Sequence, residues 1–113
     1  MKYALLVRGR RLTALNFAVA ALAQGHEILQ VFFQGDGAFA GNRLSAPPPG
    51  EADATAAWTK FAAEHGVDLV LCSTAGLRRG VREANLAAGF RISGVGQWLE
   101  ASLQADRVVG FGS

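Results

Sequence analysis

Short runs that are almost wholly apolar alternate along this chain with segments of helical period, and no other feature limits its fold as strongly. A strand that is apolar on both faces must be covered on both, as an inner strand of a parallel sheet is when helices lie above and below it. Tyr3 to Val7 is the first such run, Glu27 to Phe33 the second and Asp68 to Cys72 the third; Phe90 to Ser93 and Arg107 to Phe111 complete the set. Between them Leu12, Leu15, Val19 and Leu22 recur at helical spacing up to about Gln24, where Gly25 suits the left-handed backbone that ends a helix. Glu51 to His65 puts Ala54, Trp58, Phe61 and Ala62 on one side, with Gly66 as its stop. Ser73 or Thr74 is placed to cap a short helix over Ala75 to Arg79, and Val95 to Gln104 is expected to turn Val95, Trp98, Leu99 and Leu103 inward.

A chain of 113 residues, half of them hydrophobic and 18% charged, is one globular domain, residues 1–113. Nine of its eleven basic residues are arginine and the net charge is only +2, so an anionic partner is permitted without direct nucleic-acid binding being expected. The apolar N-terminus stops at Arg8-Gly-Arg-Arg11, short of a signal-peptide core, and no apolar run is long enough to span a bilayer. The expected setting is therefore the cytoplasm, with no membrane association.

Two segments carry the chemistry. The first, Gln34 to Gly50, is Gly-rich, ends in Pro47-Pro-Pro49 and reads as an irregular loop too long to lack a use. Its apolar Phe39 and Leu44 are candidates for holding it down as a surface where a partner docks. The second, DLVLCSTAGLRRG over Asp68 to Gly80, holds the chain's one cysteine where the third strand gives way to the next helix. Loops and helix N-termini converge on the C-terminal edge of a parallel sheet, and there an accessible thiolate of Cys72 would meet unpaired N–H groups and the positive charge of Arg78 and Arg79. Position alone leaves a second reading open, in which Cys72 is a small hydrophobe closing a buried strand and the arginines line a solvated helix face.

Other chemistries lack their residues. Gly94-Val-Gly-Gln-Trp-Leu99 has leucine where a dinucleotide fingerprint needs its third glycine, and no glycine-lysine pair exists for a phosphate loop. Gly35-Asp-Gly37 reads as a plain turn in preference to an anion nest. His26 and His65 adjoin helix-ending glycines without spaced companions, so neither a metal site nor any cofactor is expected. Ser73 has no histidine–carboxylate constellation around it.

Read together, Gly25-His-Glu27, Val31-Phe-Phe33, Asn42-Arg-Leu44 with Pro47, His65-Gly-Val67, Leu71 to Val81, Gly89 to Gly94, Glu100-Ala-Ser-Leu103 and Asp106 to Val109 resemble the DsrE/TusD family of small sulfur-relay proteins over nearly the whole chain. The resemblance implies a three-layer α/β/α fold on a five-stranded parallel sheet. It also implies a sulfurtransferase subunit whose cysteine, matched by Cys72, accepts persulfide sulfur and passes it to a partner thiol. Relays of this kind lead to tRNA 2-thiouridine or belong to dissimilatory sulfur oxidation, and their subunits assemble as homo- or hetero-oligomers with related chains, between sulfur donor and acceptor proteins. Two departures from the family pattern lie near strand ends: a short turn at Gly9 to Arg11 and a reduced segment between Gly80 and Gly89. The alternative within this fold is a noncatalytic subunit, or a small-ligand or phosphate-binding module, with Cys72 structural.

Overall fold

The computed structural model describes residues 1–112. Five strands, β1 (Lys2–Val7), β2 (Glu27–Phe33), β3 (Leu69–Cys72), β4 (Phe90–Ser93) and β5 (Arg107–Phe111), form one parallel sheet in the order β4-β3-β2-β1-β5. Four α-helices, α1 (Arg11–Ala23), α2 (Ala54–His65), α3 (Ser73–Arg78) and α4 (Val95–Gln104), cover it on both faces. Because all strands run the same way, the segments leaving β1, β2 and β3 emerge on one edge, which brings residues distant in sequence together.

Alternation along the strands divides the interior in two. Leu5, Val7, Val31, Phe33 and Leu69 face α1 and α2 in the larger cluster, where Trp58 is fully buried and donates its indole N–H to the Arg11 carbonyl at 3.1 Å. Phe33 meets Trp58 edge-on with ring centroids 5.0 Å apart. On the other face Phe32, Val70 and Cys72 pack with Ala75 and Val81, and Trp98 of α4 stacks on Phe32 at 5.6 Å.

The helices differ from expectation in the faces they bury. On α1 the buried positions are Ala14, Leu15, Ala18 and Ala21, whereas Leu12 and Val19 are exposed. Three alanines beside Leu15 make the buried face, and Phe17 and Leu22 pack partly buried at its margin. On α4 the sheet-facing positions are Trp98, Ala101 and Ser102, all half-buried. Val95, Leu99 and Leu103, expected inside, form an outward stripe, with Leu103 78% exposed.

Local chemistry sets the boundaries. Asp53 Oδ1 accepts the Ala56 N–H at 3.0 Å and starts α2 at Ala54, three residues after the expected Glu51. The stretch expected to be irregular instead begins with a 3-10 helix, Gly35–Gly41. Neither Ser73 nor Thr74 caps α3; Cys72 itself holds the capping position, with no side-chain hydrogen bond, and Ser73 is the first helical residue.

Candidate functional site

The site lies at the C-terminal edge of the sheet, built outward from the end of β3. Leu69 to Cys72 are all buried, and the chain turns into α3 directly after the thiol. Gly76 makes this sharp turn compact, since a Cβ there would fall 2.5 Å from a Leu71 methyl and 3.1 Å from the Val81 carbonyl oxygen. Cys72 was expected to be accessible at this strand end. It is only 5% exposed, packed in a buried cluster that also holds Ala75 of α3, Ala38 of the 3-10 helix and Val81.

The cover is assembled from two loops. The segment after β2 is seated by glycine: a Cβ on Gly37 would overlap the Val7 carbonyl oxygen, and one on Gly41 would overlap the Leu71 side chain. Beyond it the two loops are stapled by main-chain bonds, Arg43 N–H to the Asn85 carbonyl and Ala87 N–H to the Gly41 carbonyl, both 2.8 Å, around a bridge between Asn42 and Leu86. Asn85 adds side-chain bonds to the Gly80 carbonyl at 2.9 Å and to Asn42 Oδ1 at 3.3 Å.

Arg79 ties α3 to the 3-10 helix. Its Nε and Nη2 each lie 3.1 Å from Asp36 Oδ1, and Nη1 donates to the Ala75 carbonyl at 3.1 Å. The guanidinium carbon also lies 5.9 Å from the centre of the Phe39 ring. Of the expected site residues, Arg79 and Phe39 are brought together, Cys72 is buried in the cluster that also holds Ala38 and Ala75, and Phe39, Arg78 and Leu44 are exposed. Asp36, read from sequence as part of a turn, is the residue that sequence reasoning missed; its partner is 43 positions away, and nothing local marks the pairing.

The opposite end of the strands has its own polar cluster. Arg91 donates from Nε and Nη2 to the two carboxylate oxygens of Asp68 at 2.8 and 2.9 Å, and Gln30 Nε2 donates to the same carboxylate at 3.3 Å. The hydrogen bond from Arg91 lowers the Asp68 pKa from the usual aspartate value, against the opposing push of partial burial. Gln30 Oε1 is buried without a partner among the described residues. No group of three or more His, Cys, Asp or Glu side chains suited to a metal occurs among the described residues.

Known proteins give this geometry a context. A profile of the DsrE/DsrF-like family matches residues 1–111. The chain is 41% identical to Sulfurtransferase TusD of Salmonella arizonae and to that of Salmonella paratyphi B, in each case over 98% of this chain and 100% of the relative. The first of these alignments runs over 128 positions against 113 residues here, so at least 15 positions fall opposite gaps in this chain. Among solved structures, the ychN protein of E. coli superposes with a TM-score of 0.81 at 23% identity, over 98% of this chain and 100% of that one. MTH1491 of Methanobacterium thermoautotrophicum, a protein of unknown function, gives 0.74 at 17% identity over 97% and 98%. These two likenesses establish the fold.

Proposed function

The chain belongs to the DsrE/DsrF-like family, and on that premise we propose that Cys72 is the residue on which it carries persulfide sulfur. It is a TusD-like sulfurtransferase of the sulfur relay. What supports the assignment of the chemistry to Cys72 is its position: the chain's one cysteine stands at the junction of β3 and α3, on the edge where three loops converge.

The transfer balances without an oxidant or reductant. The Cys72 thiolate attacks the outer sulfur of a donor persulfide; a new S–S bond forms, the donor's S–S bond breaks and its thiolate leaves with the electron pair. An acceptor thiolate then attacks the outer sulfur on Cys72, and Cys72 is released as the thiolate. One cysteine suffices, since every other sulfur belongs to a partner. Arg78 and Arg79 supply positive charge beside the anion, and Phe39 and Leu44 mark the loop past which the partner's sulfur arrives.

The partners are the sulfur donor, the acceptor and related subunits. The α4 stripe of Val95, Leu99 and Leu103, with Val108 of β5 exposed on the same side of the sheet, is the surface for a subunit contact. No helix among the described residues is long and apolar enough to cross a membrane. The relay operates in the cytoplasm and leads towards tRNA thiolation or sulfur oxidation.

The burial of Cys72 favours one rival reading, a subunit in which the thiol only fills space. Mass spectrometry after incubation with a persulfide donor separates the two. The expected result is a gain of one sulfur atom on the wild type, lost on reduction, and none on Cys72→Ser with the fold kept. Sulfur retained by the serine variant, or none taken up by the wild type with competent donor and partners, overturns the assignment.

A further inference from the structure

A sulfur that must be attacked in line by a second sulfur cannot remain covered, so part of the lid over Cys72 has to yield. Its sides are unequal. The side formed by residues 41–43 and 85–87 is held by main-chain bonds, and Gly37 is seated backbone against backbone on Val7. Between α3 and the 3-10 helix the polar link is a side-chain contact, Asp36 with Arg79, in which Asp36 is 77% exposed and Arg79 only 23%. An ion pair so open to water is worth little, and water or another carboxylate replaces it readily.

We propose that Asp36 is a positioning residue for Cys72, acting through Arg79 to hold α3 and the 3-10 helix together over the sulfur. Arg79 suits this role because the bond from Nη1 to the Ala75 carbonyl fixes its guanidinium to the helix that carries Ala75, a member of the thiol's buried cluster. Phe39, beneath the guanidinium, belongs to the same helix as Asp36 and Ala38. Releasing Asp36 from Arg79 separates the two elements whose alanines pack in the thiol's cluster. The device deepens the persulfide reading, since it regulates access to the same atom, but protection of the thiol can be measured without any sulfur transfer.

Alkylation by iodoacetamide, followed by mass spectrometry of the intact chain, reports on Cys72 alone because no other thiol is present. The rate is taken across pH, so that the plateau reads access and the midpoint reads thiolate fraction. In Asp36→Asn and Arg79→Gln the plateau should rise about fivefold, while the midpoint reads separately any charge that Arg79 lends the thiolate. Salt near about 1 M should accelerate the wild type and leave both variants unchanged. Asp68→Asn, which breaks an ion pair at the far end of the strands, should leave the alkylation rate unchanged. Equal plateaus in all variants, a rise that is wholly a midpoint shift, or the same acceleration in Asp68→Asn would overturn the proposal. If the variants accelerate as expected while the wild type takes up no sulfur, the positioning role stands and the relay reading falls.

Discussion

The two faces of the sheet are lined by side chains of the same strands, yet they finish differently. Under α1 and α2 the interior is sealed: Trp58, Phe33, Leu5 and Val7 are wholly buried, and four aromatic rings, Phe33, Trp58, Phe61 and Phe90, pack in contact. Under α3 and α4 the cluster is smaller, Trp98 is half-buried, and Leu99 and Leu103 lie in water. The thiol belongs to this less complete face. The larger sealed core thus lies on one side and the smaller, partly open cluster that holds Cys72 on the other.

The largest effect that would test this contrast is a tryptophan pair. Trp58→Ala should cost about 3–5 kcal/mol, a large share of a small domain's stability, because it empties a fully enclosed volume and removes the indole bond to the Arg11 carbonyl. Trp98→Ala should cost about 2 kcal/mol or less in the separated chain, since that side chain is only partly buried. Urea unfolding of both variants checks the ordering, and equal losses would mean that the two faces are equally built.

A smaller effect is expected from Leu99→Ser with Leu103→Ser. Unfolding of the separated chain should move within about 0.5 kcal/mol, as for surface positions generally, while association with a second copy or a related subunit weakens at least tenfold. Sedimentation across micromolar concentrations reads the second quantity. Unchanged association would place the contact elsewhere and leave the outward stripe unexplained.

Asp68 gives the smallest expected change. Its folded pKa is lowered by Arg91, so the ion pair contributes stability above the unfolded value, near about 4, and loses it as pH falls through the folded one. Both groups are partly exposed, which keeps the contribution within about 1 kcal/mol. The melting temperature of Asp68→Asn should therefore lie below that of the wild type at pH 7 and converge with it in acid; a constant gap down to pH of about 3 would refute the pairing as its source.

Much of this layout is legible in the residues. Apolar runs fixed β2, β4 and β5 to the residue, and Gly25 and Gly66 take the positive φ that ends α1 and α2. Helix faces were less legible because apolarity does not say which way a side chain points. On α1 three alanines and Leu15 are buried while Leu12 and Val19 are exposed, and on α4 the strongest stripe faces away from the sheet. The site was half visible. Cys72 and its edge follow from chain order, but the packing around the thiol does not, since Ala38, Ala75 and Val81 carry no chemical signature and Asp36 finds Arg79 only through the tertiary fold.

The glycine seats of the loop after β2 have different consequences for how such sequences can drift. At Gly37 any side chain would meet backbone, the Val7 carbonyl, which no substitution elsewhere can remove. At Gly41 the main obstacle is the Leu71 side chain, with the Phe90 ring 3.3 Å away, so a smaller residue at 71 and a slight shift of that ring make room for alanine at 41. Position 37 should accordingly stand alone across related sequences, while 41 and 71 change as a pair, tying the geometry of the lid to the strand that ends in the thiol.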